Sequence, residues 1–205
     1  RVKTRLVPAL GEEGAAQFAR FLLLSTLQRL APLAAQHAYE LVLWTDGGTA
    51  DDWQRLLQAL GPKLPPVSLH TQIQGHLGER MLHATATQLK WRAPACLVGP
   101  DAVCLQAQHV LQLVAHLNTQ QPLGFIPALD GGYVAIASQR VVPAVFGGHI
   151  AWGTATVAEQ TRQTLAELQT HAHWANPQPD VDEPADLEQA MQAGWVPNDW
   201  RQRYE

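Results

Sequence analysis

The acidic residues that could do chemistry fall in three short stretches. Asp180-Val181-Asp182 sets two carboxylates two residues apart. In an extended segment that spacing turns both to one side, the arrangement a shared divalent cation needs. Asp182 also stands just before Glu183-Pro184, so it is equally suited to cap a helix, with Glu183 and Asp186 favourable in its first turn. Asp101 follows the apolar run Ala95-Cys96-Leu97-Val98 by three residues. If that run is a strand of an open parallel sheet, Asp101 lies where such sheets bind ligands, and its hard oxygens suit Mg²⁺ or Mn²⁺. Its plain alternative is a helix cap. Asp130-Gly131-Gly132-Tyr133 lies between two extended runs. Asp-Gly is a hairpin turn that needs no function, yet paired glycines also let a substrate approach the backbone while Asp130 accepts from a hydroxyl.

The other candidates have equally plain alternatives. Lys3 and Arg5 read either as a solvated basic terminus or as cations for a phosphate group, with Arg5 offering a bidentate fork. Gly75 to Met81 reads as a loop entering a helix, whose free N–H groups attract anions; Glu79 and Arg80 are otherwise ordinary first-turn residues. His171 and His173 have no third ligand at zinc-like spacing and read as surface or edge residues. Cys96 and Cys104 form no disulfide framework and read as small buried hydrophobes.

These residues need a scaffold, and the hydrophobic pattern supplies one. Glu12 to Leu30 is apolar almost all round, as in a well-buried helix. Tyr39 to Trp44 reads as a strand stopped by Asp46-Gly47-Gly48, and Thr49 then caps a helix carrying Trp53, Leu56, Leu57 and Leu60, ended by Gly61-Pro62. Val67 to Gln72, Ala95 to Val98, Leu123 to Pro127 and Tyr133 to Ala137 read as strands. Helices are expected over Leu77 to Lys90, around Val110 to Leu117, around Val157 to Leu168, and from Pro184. Strands alternating with helices predict a single α/β layered domain over residues 1–205 with a mostly parallel sheet. Trp195, Trp200 and Tyr204 mark a tail that either packs or makes a dimer contact.

Composition sets the outer limits. With 205 residues, 46% hydrophobic and 16% charged, the chain has a core for one domain, and wholesale disorder is excluded. A net charge of -4 gives no basic footprint for nucleic acid, and no apolar run is long enough for a membrane span. A cytoplasmic protein is the expectation.

Five segments in order carry a more specific signal: Lys3-Thr4-Arg5-Leu6, Gly75-His76-Leu77-Gly78-Glu79-Arg80-Met81, Val98-Gly99-Pro100-Asp101, Asp130-Gly131-Gly132-Tyr133 and Asp180 to Leu187. Together they resemble the bacterial glycosyltransferase-like family of GT-A type, domain of unknown function 2064, related to the molybdopterin and 2-phospholactate nucleotidylyltransferases. The resemblance runs to about Ala193 and leaves 194–205 as a tail. It implies a three-layer α/β sandwich with a mixed, mainly parallel sheet, of nucleotide-diphospho-sugar transferase type. It also places a first strand and a Pro/Gly-rich phosphate loop ahead of Lys3, where only Arg1 and Val2 stand, so the sheet is expected to lack that strand.

By the same resemblance, Lys3 and Arg5 are phosphate-side residues, Asp101 and Asp182 hold Mg²⁺ or Mn²⁺, and Asp130 with Asp182 is catalytic. Gly75, Glu79, Arg80, Gly131, Gly132, Tyr133, Trp152 and Thr154 line the substrate. The implied reaction is metal-dependent glycosyl transfer from a nucleotide-diphospho-sugar. One alternative is nucleotidyl transfer to a phosphorylated acceptor with release of pyrophosphate. Another is a non-catalytic relative, because the family pattern G-T-D-C-P-D-L is here Gly99-Pro100-Asp101-Ala102-Val103-Cys104-Leu105, with its second Asp lost.

Overall fold

The computed structural model describes residues 3–61 and 64–203, which leaves Pro62 and Tyr204 outside the described residues. The chain divides into two compact units. One takes in the chain up to His70, Pro100–Ala107 and the chain from Pro179; the other comprises Thr71–Gly99 and Gln108–Gln178.

The first unit is organised by a long helix. Thr4–Leu6 form a 3₁₀ turn that leads into α1 (Val7–His37). The helix is longer than its apolar stretch predicted, for two reasons. Gly11 takes φ 73°, which joins a short first segment to the rest across a kink. Pro32 sits within the last turns, but Leu33 beyond it is buried and anchors the helix as far as His37. Phe18, Phe21 and Leu22 of α1 form a core with Leu6, Val103, Val181, Leu187, Val196 and Trp200. Trp200 meets the Phe18 ring edge-on at 4.9 Å, so at this residue the tail is packing; Trp195 is partly exposed. The unit also holds strand β1 (Leu41–Thr45), which pairs with β2 (Val67–Thr71), and between them α2 (Ala50–Gln58). Thr49 and Asp52 form the capping box of α2. α6 (Pro184–Gln192) starts with Pro184 in its first turn.

The second unit holds a four-stranded sheet in the order β3-β5-β4-β6, built from β3 (Ala95–Val98), β4 (Leu123–Pro127), β5 (Tyr133–Ser138) and β6 (Ala172–Trp174). β5 runs antiparallel to both β3 and β4, and β4 runs parallel to β6, so the sheet is mixed. Its helices are α3 (Leu77–Leu89), α4 (Ala107–Ala115), which starts at the unit boundary, and α5 (Val157–Glu167). Leu123, Phe125, Ile136, Phe146 and Leu165 pack into its core. His173 on the edge strand β6 stacks on His116 at 3.7 Å, as befits an edge residue. No helix among the described residues is long and apolar enough to cross a membrane.

Candidate functional site

In the first unit, three segments far apart in sequence bring their charges to one point. Each does so by burying a neighbour in the same core. Leu6 follows Lys3 by three residues, Val103 follows Asp101 by two, and Val181 stands between Asp180 and Asp182. Val181 is wholly buried, which turns its two flanking carboxylates outward; one oxygen of each comes within 4.8 Å of the other. The two carboxylates of this pair therefore lie to one side. The loop that carries Asp101 is latched to α1. Thr26 Oγ1 donates to the Pro100 carbonyl at 2.9 Å, and Arg29 donates to the Leu105 carbonyl at 2.9 Å and the Ala102 carbonyl at 3.1 Å.

The Lys3 ammonium closes the group. It donates to Asp101 Oδ2 at 2.9 Å, to the Val181 carbonyl at 2.7 Å and to Asp182 Oδ1 at 2.5 Å. Arg5 lies 3.9 Å from the other Asp182 oxygen and 4.0 Å from Glu183, with its side chain 60% exposed. Burial disfavours the Lys3 charge, but the Asp101 charge and the bonds to Asp182 outweigh it and hold the ammonium above its ordinary value of 10.5.

Two expected alternatives are corrected here. Asp182 is not the helix cap: Glu183 takes the N-cap of α6 in a capping box with Asp186, because the Asp182 carboxylate is drawn to Lys3. Asp101 gives its carboxylate to Lys3, and the helix that follows begins only at Ala107.

In the second unit, Asp130, Gly131 and Gly132 form the turn between β4 and β5. Asp130 Oδ1 accepts from the Gly132 amide at 2.8 Å, and Gly131 stands at φ 94°, against the Ala155 carbonyl. Tyr133 donates from its hydroxyl to the Val157 carbonyl at 3.3 Å, and burial pushes its pKa well up. His76 and Glu79 form the capping box that starts α3, with the Glu79 carboxylate folded over Gly75. Arg80 donates to the Gly75 carbonyl at 2.9 Å and to Gln72 at 3.2 Å. Gly78 faces the Trp152 indole, whose N–H donates to the Gly147 carbonyl at 3.2 Å. Thr154 donates from its hydroxyl to the Ala151 carbonyl at 2.7 Å. Within this unit, then, α3's start meets the loop at Trp152, and the Asp130 turn meets the same loop at Ala155.

The site residues that spacing does not reveal are Thr26 and Arg29, which lie inside the apolar stretch of α1. Their only trace in the sequence is that they are polar residues within an apolar stretch, three apart and so on one helix face, where Arg29 donates to Thr26 Oγ1 at 2.8 Å.

The donor set fits a hard divalent cation. Asp180 and Asp182 each bring a carboxylate oxygen within 4.8 Å of the other, and Asp101 and Asp182 already share a cationic group, the Lys3 ammonium.

The architecture is that of the nucleotide-diphospho-sugar transferases. The chain aligns over its whole length with 86% of a "putative nucleotide-diphospho-sugar transferase" from Desulfovibrio desulfuricans G20, at 27% identity and a TM-score of 0.81. A more distant fold relative is CMP:2-keto-3-deoxy-manno-octonic acid synthetase, solved with CTP. It shares 14% identity at a TM-score of 0.51, over 82% of this chain and 87% of that one. The chain belongs to the family described as an uncharacterized protein conserved in bacteria (DUF2064), which matches residues 29–154. No curated protein matches the chain.

Proposed function

We propose that this chain is a divalent-cation-dependent glycosyltransferase that uses a nucleotide-diphospho-sugar donor in the cytoplasm. The observation that carries this reading is the gathering of Lys3, Arg5, Asp101 and Asp182 within ion-pair distance, in a protein with a nucleotide-diphospho-sugar transferase fold. Asp101 and Asp182, with Asp180 beside them, are the residues that would hold Mg²⁺ or Mn²⁺; when bound, that ion neutralises diphosphate oxygens.

The chain's own residues do the rest. Lys3 donates N–H bonds to the departing diphosphate and Arg5 grips it with its planar fork, so charge that develops on the leaving group is met by cations of the chain itself. Asp182 orients both cations, since one of its oxygens reaches Lys3 and the other lies near Arg5. In the second unit, Asp130 keeps one carboxylate oxygen after serving the Gly132 amide, and that oxygen takes the proton from the acceptor hydroxyl. The 75–81 segment, the Gly131-Gly132 turn with Tyr133, and the loop bearing Trp152 and Thr154 form the substrate's walls.

The test is incubation with a panel of nucleotide sugars and nucleoside triphosphates plus Mg²⁺ or Mn²⁺, with product analysis. Release of a free nucleoside diphosphate supports glycosyl transfer. Pyrophosphate from a triphosphate would move the reading to nucleotidyl transfer. Neither turnover nor thermal stabilisation by any of them would leave the non-catalytic alternative.

A further inference from the structure

Lys3 holds a posture that demands an explanation. Its backbone stands at φ 50°, ψ 44°, in the left-handed region that a residue with a Cβ disfavours. Its side chain is only 12% exposed. An ammonium has three N–H donors, and Lys3 uses all three, on Asp101, Asp182 and the Val181 carbonyl. No donor is left for a phosphate oxygen. The carboxylates proposed to hold a divalent cation are likewise engaged by the cation of the chain itself.

We infer that Lys3 is a built-in placeholder. In the ligand-free protein its ammonium holds Asp101 and Asp182 together, and ligand binding is an exchange in which the carboxylates pass to the divalent cation and the ammonium to the diphosphate. This rests on the transferase reading and adds a consequence to it. A divalent cation arriving alone must take both carboxylates from an ammonium that then keeps only the Val181 carbonyl in a largely enclosed position. A diphosphate arriving alone must strip the ammonium from two carboxylates, which are left to repel each other. Arriving together, each ligand satisfies the group the other displaces. Lys3 thereby makes the two bind cooperatively, and by linkage the coupling is reciprocal.

The test is calorimetry on the full chain with MnCl₂ and inorganic pyrophosphate, comparing wild type with Lys3→Met at matched free concentrations. The variant should bind Mn²⁺ alone at least tenfold more tightly than wild type. Its affinity for pyrophosphate in the presence of Mn²⁺ should fall at least tenfold. Equal Mn²⁺ affinities in the two proteins would overturn the placeholder while leaving the transferase reading intact. Failure of both proteins to bind Mn²⁺ with pyrophosphate would overturn the two together.

A second measurement needs no variant. The chain has three lysines, Lys3, Lys63 and Lys90, and Lys90 is exposed. Acetylation rates followed by mass spectrometry should show Lys3 protected relative to Lys90 in the free protein. Saturating Mn²⁺ without phosphate should speed Lys3 at least threefold and leave Lys90 unchanged. A Lys3 rate indifferent to Mn²⁺ contradicts the inference.

Discussion

In the first unit Lys3 meets Asp101 across 98 residues of chain and Asp182 across 179. In the second unit His76 meets Glu79, Thr154 meets Ala151 and Asp130 meets Gly132, none of them more than three residues apart. Contacts of the second kind are available to almost any loop that closes on itself, and they shape turns and helix starts. Contacts of the first kind exist only while a core holds distant segments in place. Here the core gathers carboxylates from Asp101 and the 180–182 segment that would repel each other without a cation. Gathering like charges works against folding, so the first-unit group is the stronger mark of a site, while these second-unit contacts are those of turns and helix starts.

The largest expected effect tests that dependence on the core. Trp200→Ala should cost about 3–5 kcal/mol in denaturant unfolding, since its ring is buried against Phe18 and Phe21. Lys3 should lose its protection from acetylation in the same variant. A destabilised protein in which Lys3 stays protected would break the link between core and charges.

In the second unit the effect should be local and steric. A Cβ at Gly78 would overlap the Phe146 carbonyl and the Trp152 indole, so Gly78→Ala should cost about 3 kcal/mol, at the upper end for overpacking. Gly153 stands at φ 80° with open space around it, and Gly153→Ala should cost only the backbone strain, about 1 kcal/mol. Equal losses at the two positions would show that the Gly78–Trp152 contact is soft.

Lys3→Met should lower stability by about 2 kcal/mol near neutral pH, less than for a fully buried pair because Asp101 and Asp182 keep some water contact. The Lys3 pKa is raised in the folded protein, so its contribution is complete below about pH 10.5 and is lost as pH climbs through the raised value. Raised Cys96, Cys104 and Tyr133 values produce an alkaline loss of their own. The wild type should therefore lose more stability than Lys3→Met between pH 9 and pH 12, roughly the span of these ionisations, and parallel curves would contradict the role given to Lys3.

The smallest effect sharpens the comparison through the two thiols. Burial pushes Cys96 on β3 up to about 12 and Cys104 in the latched loop up to about 11, where Arg29 pulls the other way. Alkylation of the native protein should thus be slow at both and faster at Cys104. A faster Cys96 would mean that β3 opens more readily than the loop held by Thr26 and Arg29.

Much of the scaffold was legible because its punctuation is local. Ala95–Val98 and Leu123–Pro127 have the bounds their apolar runs predicted, each run being flanked by proline or glycine. The Thr49 cap was readable from one residue type before a periodic helix. The ends of α1 were not, because Gly11 and Pro32 ordinarily stop a helix and here tertiary burial of Leu6 and Leu33 carries the chain past both. The cap at Glu183 was hidden because local rules favour Asp182 equally well, and only the distant Lys3 decides between them. The fold type came from five ordered segments that together resemble a family. The meeting of Lys3 with Asp101 follows from no spacing rule, since neither residue's neighbours encode the other.

The central claim is that the first-unit charges form a site for a divalent cation and a diphosphate. The most direct measurement is titration of Mn²⁺ with a nucleoside diphosphate into wild type, Asp101→Asn and Asp52→Asn. The last removes an exposed carboxylate that serves the capping box of α2 and an ion pair with Arg55. Wild type and Asp52→Asn should bind, and Asp101→Asn should lose at least tenfold in affinity. Undiminished binding by Asp101→Asn, or equal losses in both variants, would contradict that claim.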